Sequence, residues 1–163
     1  MAAADVKTPG DASELIRYYG KWAAGVGIIP VPLIDLVAVT GVQIKMLRRL
    51  AKSYGVDYDE SSGKALIGAL LGAVVPAKLG YGGIGSLFKA VPGIGSLLGI
   101  AVVPVFNYAS TVAIGRVFQK HFASGGTLLD FDASAMKGTF VNEYRAVADE
   151  AKSAVGGRKT ATT

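Results

Sequence analysis

Residues 28–55 read IIPVPLIDLVAVTGVQIKMLRRLAKSYG, a run that combines two prolines, one carboxylate and a cluster of basic residues. Pro32 suits the first turn of a helix, because the amide hydrogen that proline lacks is not needed there. Gly55 suits the end of one, because glycine is the residue that most often follows a helix. We therefore predict a helix that runs from Pro32 to about Tyr54 and stops at Gly55.

Asp35 is the only charged residue between Trp22 and Ile44. A charge in an apolar run is costly to bury without a partner. In the first turn of the predicted helix, its carboxylate can interact with free backbone N–H groups and with the positive end of the helix dipole. We therefore expect a structural, cap-like role for Asp35. A buried ion pair with Lys78 or Arg116 is compatible with that role and stays an alternative.

The second half of the predicted helix carries four basic residues at positions i, i+3, i+4 and i+7. This spacing places all four on one face. On a half-apolar helix such a stripe is a candidate surface for anionic lipid or for a partner protein, although many charged stripes are simply solvated. We call it the basic stripe and define it by Lys45, Arg48, Arg49 and Lys52.

The rest of the chain predicts further helices and no strands, because no segment alternates apolar and polar residues. The predicted bounds of these helices are 11–27, 63–80, 96–122 and 133–155. The fold class is all-α, a bundle of about five helices with a glycine-rich apolar central hairpin flanked by amphipathic helices. We expect a single helical domain, an N-terminal tail and a C-terminal tail over residues 11–155, 1–10 and 156–163.

The first and last predicted helices carry apolar side chains at helical spacing, which predicts one buried face on each. In the first helix these residues are Leu15, Tyr19, Trp22 and Val26. In the last helix they are Met136, Phe140, Tyr144, Val147 and Ala151. The acidic loop 56–62 is expected to cap the third helix, and Asp130 or Asp132 the last one.

Two glycine pairs in the apolar middle of the chain have the spacing GxxxG. Each glycine inside a helix costs about 1 kcal/mol relative to alanine, so the pairs need a compensating gain. Close approach of helix backbones supplies one, above all in lipid, where apolar burial does not drive association. We expect helix packing or self-association into a homo-oligomer through Gly68, Gly72, Gly95 and Gly99.

Charge is distributed unevenly along the 163 residues. The net charge is +5, only 18% of residues are charged, and mean hydropathy is +0.42. No acidic residue lies between Glu60 and Asp130, so every charge in that interval is basic. Long cationic side chains beside an apolar segment suit an anionic lipid surface. A glycine-rich core with basic residues at its rim is the alternative.

No motif predicts catalysis, a metal site or a cofactor. Residues 80–85, GYGGIG, match GxGxxG, but a helix is predicted before them and no acidic residue follows until Asp130. A dinucleotide site needs a strand before the motif and an acidic residue about 20 positions after it. The single histidine, His121, has no carboxylate pattern near it, and there is no cysteine. Nucleic acid is not expected as a partner, because apolar residues dilute the basic ones.

Several segments resemble a known bacterial family. They are IIPVPLIDL, which includes Asp35, then Gln43, MLRRLAKSYG, VPGIGSLLG and TVAIGRVFQKHF. They resemble the helical domain of unknown function that is often fused to, or encoded beside, small Ras-like GTPase domains and that includes the YcjF-type inner-membrane proteins. The resemblance covers roughly residues 22–126. It implies a membrane-associated module without catalytic residues, for which a separate small GTPase is a candidate partner.

Two functions fit these observations. The first is a non-enzymatic, oligomeric helical protein that binds anionic lipid at the cytoplasmic side of the bacterial cytoplasmic membrane. Its role there would be structural, membrane-organising or that of a GTPase partner. The second is a soluble, cytoplasmic, self-assembling helical protein that buries its apolar helices between subunits. Detergent separates the two, because only the second should purify without it.

Overall fold

A computed structural model describes residues 9–26, 34–74 and 98–157. Over these ranges the chain forms five α-helices and no strand, which confirms the all-α fold class. The helices are α1, α2, α3, α4 and α5, with bounds Pro9–Val26, Ile34–Ser53, Glu60–Leu71, Leu98–Ala123 and Ala133–Gly157. Each bound lies close to the predicted one except at the C-terminal end of α3.

The third helix is shorter than the predicted range 63–80. It ends at Leu71, and Gly72 is its C-terminal cap. Beyond the cap, the backbone N–H of Val74 donates to the carbonyl of Leu71 at 3.0 Å, in the tighter pattern that closes many helices. Glycine is the poorest ordinary helix former, so an end at this position is physically reasonable. The remainder of the predicted helix, 75–80, lies outside the described residues.

Local signals begin α3 and α5 and end α2, in agreement with the sequence. Asp59 caps α3, since its Oδ2 accepts a hydrogen bond from the backbone N–H of Ser62 at 2.7 Å. Of the two candidates for α5, Asp132 is the cap, because its Oδ1 accepts from the backbone N–H of Ser134 at 2.8 Å. Gly55 follows α2 with a φ of +68°, a left-handed conformation that costs glycine least.

The central helix of the bundle is α4. It packs along α1 and α5 and also contacts α2, with a smaller contact to α3. Every residue from Ala109 to Gly115 is buried, as expected where a helix is apolar on all sides. All five helices contribute large, fully buried side chains to the core, among them Ile16, Met46, Leu47, Ile67, Phe118 and Phe140.

Two glycines bring α1 and α4 together in antiparallel orientation. Ile16 of α1 lies on Gly115 of α4, and further along α1 Gly20 lies against Val112. A Cβ atom at either glycine would lie 2.7 Å from the facing side chain, whereas carbon atoms in contact are about 3.5–4.0 Å apart. The two helices can therefore approach this closely only because both positions lack a side chain.

The second helix, α2, runs parallel to α4. The Gln43 amide donates a hydrogen bond to the Thr111 hydroxyl at 3.1 Å, across a separation of 68 residues. The rings of Tyr54 and Phe122, which are separated by the same interval, lie 6.2 Å apart. The two helices therefore run in the same direction. As a consequence, the C-terminal end of α1 and the N-terminal ends of α2 and α4 lie at the same end of the bundle.

The buried face of α1 differs from the predicted one. Trp22 is 57% exposed, although its spacing from Leu15 and Tyr19 placed it on the apolar stripe. The close contact with α4 selects a different arc of the helix, which includes small side chains. The buried residues of α1 are Ala12, Leu15, Ile16, Tyr19, Gly20 and Ala23.

The apolar stripe predicted for α5 does face the bundle. Phe140 and Val147 are buried, and the other three stripe residues are half-buried. The opposite side of the helix is exposed, and Glu143, at the edge of the stripe, is half-buried against α4.

Candidate membrane-binding surfaces

All four side chains of the basic stripe are exposed on α2. Arg48 Nη2 lies 2.6 Å from Glu60 Oε2, and the guanidinium of Arg49 lies 5.9 Å from the centre of the Tyr19 ring. The two lysines of the stripe form no ion pair within the described parts of the chain. The stripe therefore presents to water two arginines that have contacts within the chain and two lysines that have no ion pair with a described residue.

Glu60 positions Arg48 at the N-terminus of α3. The same carboxylate lies 2.8 Å from Lys64 Nζ, so it faces two cations. These contacts lower the pKa of Glu60, and the contact with Lys64 contributes most. The guanidinium of Arg48 also lies 5.4 Å from the centre of the Tyr58 ring. Because all three charged side chains are about half exposed, water screens the ion pairs strongly, and Arg48 can exchange Glu60 for another anion.

The outer side of α1 is a second exposed surface, and its composition is aromatic and basic. Tyr18 and Trp22 are 45% and 57% exposed, with ring centres 6.3 Å apart. Arg17 and Lys21 lie on the same exposed arc. We call these four residues the aromatic face. A shallow groove continues from it toward the end of α1 along Gly25 and Val26.

Helical spacing of large apolar residues could not find the aromatic face, because it assigned Trp22 to the interior. The signal that was available is the sequence RYYGKW, residues 17–22, in which basic and aromatic residues mix over less than two turns. Such mixing is typical of helices that lie at a membrane surface.

In α1, α2 and α4, charged residues avoid one end of the bundle. On α5, whose Tyr144 ring lies 5.8 Å from that of Phe106, exposed charged residues continue past this end, namely Arg145, Asp149, Glu150 and Lys152. Residues 98–115 of α4 contain no charge, and Asp35 is the only charge in 22–44. These segments lie together, because α1 runs antiparallel to α4 and α2 parallel to it. We call this end the apolar end and define it by residues 22–26, 34–44 and 98–110. In the part of the chain that the structure describes, no helix is both long enough and apolar enough to cross a membrane.

Asp35 is the second residue of α2, in the first turn, where a cap-like role would require it. Its side chain is outside the described part of the structure, as is Lys78, so that role stays a prediction. Arg116, the other partner considered for Asp35, instead forms an ion pair with Glu143.

The first GxxxG pair, Gly68 and Gly72, does not pack against another helix among the described residues. Gly68 is exposed on α3, and a Cβ atom there would have no neighbour within 4 Å. Gly72 caps the C-terminus of α3 and is also exposed. Gly99 lies in the first turn of α4, and Gly95 lies outside the described residues. Self-association through these four positions stays a prediction, while the close contact that the structure does describe uses Gly20 and Gly115.

Four polar side chains of α2 and α4 are buried, and two of them, Gln43 and Thr111, join the two helices. Gln43, Asn107, Ser110 and Thr111 are all buried. Gln43 Oε1 and Asn107 Nδ2 have no hydrogen-bond partner among the residues described. A buried polar group without a partner costs about 1–3 kcal/mol. The bond from Gln43 to Thr111 therefore matters for the register of the two helices, because sliding either helix would leave further polar atoms unpaired.

Glu143 joins α5 to α4 through two cations. Its carboxylate accepts hydrogen bonds from Lys120 Nζ at 2.6 Å and from Arg116 Nη1 at 3.1 Å. The Glu143 side chain is only 18% exposed. The bond from Lys120, with a smaller contribution from Arg116, lowers the pKa of Glu143. Two cations of the acid-free interval thus form ion pairs with α5 at the surface of the bundle, which the sequence alone did not indicate.

His121 has a carboxylate beside it, a contact that the sequence pattern did not indicate. Its Nε2 lies 3.5 Å from Asp130 Oδ1 and 2.8 Å from the carbonyl oxygen of Thr127. The turn between α4 and α5 brings them together, with Gly125 at a φ of +88°. Across the described ranges no group of three or more His, Cys, Asp or Glu side chains could hold a metal ion. The contact is explained by closure of this turn.

Comparison with known proteins places the chain in a family. Residues 9–127 match the family described as Domain of unknown function (DUF697). The chain is also 38% identical over 133 residues to Magnetosome membrane protein 22 of Magnetospirillum gryphiswaldense, in a match that covers 82% of this chain and 68% of that protein. No solved structure matches. The matched region includes the aromatic face, the basic stripe and the apolar end, and the chain belongs to the DUF697 family.

Proposed function

We propose that this protein is a non-enzymatic, membrane-associated helical module that organises an anionic membrane surface. The observation that carries the proposal is the uneven distribution of charge along the bundle. In α1, α2 and α4 the apolar end contains one charged residue, Asp35, and the exposed cations of α1 and α2 lie beyond it. Such a bundle can place its apolar end in the membrane interface and its cations among the headgroups.

The relative from Magnetospirillum gryphiswaldense supports the membrane part of the proposal. Its name describes a magnetosome membrane protein, and the two chains are 38% identical over most of the length of this one. The proposal takes from that relative only the association with a membrane. By the resemblance seen in the sequence, we place this protein at the cytoplasmic side of the bacterial cytoplasmic membrane.

The basic stripe is proposed as the lipid contact on α2. Its two lysines have no ion pair with described residues, and Arg48 is held by a carboxylate that is itself half exposed. Each cation near an anionic membrane surface contributes about 1 kcal/mol of attraction. The stripe begins where the apolar end stops, at Lys45, so headgroup contact and apolar contact can occur together.

Self-association is the next element of the proposal. Gly68 leaves an open, exposed position on α3, where the backbone of a second copy could approach closely. We propose that the two GxxxG pairs form the contact between subunits. A separate small GTPase is the proposed protein partner, and the family resemblance alone supports that choice.

A soluble, self-assembling protein is the alternative. The exposed Tyr18 and Trp22 favour it as well, since exposed aromatic side chains also mark contacts between proteins. In that case the apolar end and the aromatic face would be buried between copies, and the chain would purify without detergent.

Flotation with liposomes tests the proposal. The purified full chain is mixed with vesicles of phosphatidylglycerol and phosphatidylcholine in equal parts, and separately with phosphatidylcholine alone. We expect the protein to float with the first and much less with the second, and to resist release by high salt once bound. Recovery at the bottom of both gradients as a monodisperse species would refute membrane association and favour the soluble assembly.

A further inference from the structure

We infer that the aromatic face of α1 is the part of this protein that enters the headgroup region of an anionic bilayer. In this arrangement the rings of Trp22 and Tyr18 lie at the boundary between headgroups and acyl chains, and Arg17 and Lys21 contact lipid phosphates. This inference rests on the proposed function and adds to it the surface that makes the contact.

The exposed aromatic side chains are concentrated on one side of α1. Three large apolar side chains are exposed in the described residues, and two of them, Tyr18 and Trp22, are neighbours on the aromatic face. Tyr18 also packs edge-on against the buried ring of Tyr19, with centres 5.4 Å apart. The ring of Tyr18 is therefore backed by the core, so it loses less conformational entropy on binding than a ring without contacts would.

Charge complementarity indicates lipid as the occupant. Arg17 and Lys21 flank the two rings and form no ion pair with a described residue. Tryptophan and tyrosine are enriched where membranes meet water, because each has an apolar body and a polar tip. Cationic side chains beside them suit anionic headgroups.

The aromatic face also adjoins the apolar end. Trp22 is the last large side chain of α1 before residues 23–26, which carry no charge. Gly25 and Val26 extend the groove below Trp22 in that direction. Along α1, the surface therefore changes from basic and aromatic to uncharged, in the order in which a protein that enters a membrane meets headgroups and then acyl chains.

Trp22 is the only tryptophan in the chain, so its fluorescence reports on this surface alone. We expect a blue shift of its emission when phosphatidylglycerol–phosphatidylcholine vesicles are added to the full chain, together with quenching by brominated lipids. Protection of Trp22 from iodide should appear with the same vesicles. Phosphatidylcholine alone should produce these changes weakly.

Two sets of variants test the assignment by flotation. Trp22→Ala should weaken binding to the mixed vesicles about tenfold, because the free energy gained by burying a large apolar side chain corresponds to roughly a tenfold or larger change in affinity. Arg17→Gln and Lys21→Gln should each weaken it about fivefold, and only on the anionic vesicles. Leu129→Ala is the matched control, because Leu129 is 94% exposed at the opposite end of α4. It should bind as the parent chain does.

The outcomes separate this inference from the proposed function. If the chain floats while Trp22 emission stays that of a water-exposed indole, the aromatic face is the wrong surface and membrane association stands. If the chain does not float at all, both fail. Shielding of Trp22 that rises with protein concentration in the absence of vesicles would overturn the inference in favour of a contact between copies. Circular dichroism of every variant confirms that helices are retained.

Discussion

Gly115→Ala is expected to destabilise this protein, although alanine is the better helix former. The added methyl group would lie 2.7 Å from two carbon atoms of Ile16, a side chain that is 1% exposed. Contacts between carbon atoms are about 3.5–4.0 Å long, so α1 and α4 must separate by about 1 Å or Ile16 must leave its position.

Two opposing terms set the magnitude. Replacing glycine with alanine inside a helix gains about 1 kcal/mol. Overpacking a well-filled core costs about 1–3 kcal/mol. The free energy of unfolding should therefore fall by about 0–2 kcal/mol. Gly138→Ala is the matched control, because Gly138 is exposed on α5 with no neighbour within 4 Å, and it should stabilise by about 1 kcal/mol.

Urea denaturation followed by circular dichroism measures both variants. The two should differ by about 1–3 kcal/mol in the free energy of unfolding. In an Ile16→Ala background, where the facing side chain is shortened, Gly115→Ala should instead be neutral or stabilising. If Gly115→Ala stabilises the parent chain as much as Gly138→Ala does, the close approach of α1 and α4 is not real.

Replacing all four cations of the basic stripe with glutamine should weaken binding to anionic vesicles much more than to neutral ones, at about 1 kcal/mol per cation. Equal losses in co-sedimentation with both vesicles would assign the stripe to folding. Gly95→Leu together with Gly99→Leu should lower the assembly state in mass photometry while circular dichroism stays helical; unchanged assembly would exclude both glycines from the subunit contact. Acid should destabilise the fold through Glu143. Lys120 and Arg116 lower the pKa of Glu143 below its ordinary 4.5, so the stabilisation exists above that pH and is lost as pH falls through the lowered pKa. Urea denaturation across pH should show a smaller acid loss for Glu143→Gln, and identical losses would contradict this account.

Features that depend on a few neighbouring residues could be predicted from the sequence. Gly55 ends α2 and Asp59 begins α3, because a left-handed turn and a free backbone N–H have strong local preferences. The apolar stripe of α5 was also correct at Phe140 and Val147, since large apolar residues occupy only one side of that helix. None of these features requires knowledge of which helix is the neighbour.

Features that depend on which helix is the neighbour could not be predicted from the sequence. Trp22 was assigned to the core because periodicity counts large apolar side chains and gives little weight to Ala23 or Gly20, which α4 covers in fact. Glu143 is not part of the apolar stripe of α5, yet it lies within reach of cations on another helix. The glycine pairs chosen for their spacing include Gly68, which is exposed. Spacing identifies which residues share a face and leaves open what that face meets.

The two glycine contacts between α1 and α4 are reciprocal, and this determines the roll of α1 about its own axis. Ile16 of α1 occupies the gap at Gly115, while Val112 of α4 occupies the gap at Gly20. Successive residues of an α-helix are about 100° apart around the axis. Tyr18 and Trp22 are two positions from the contact residues Ile16 and Gly20, so they lie roughly on the side of α1 that faces away from α4. A roll of one residue would turn both rings halfway back toward the core. Buried contacts that no lipid can reach thus determine which side of α1 faces a membrane. A substitution at one of these buried contacts should therefore change the orientation of the protein on the membrane.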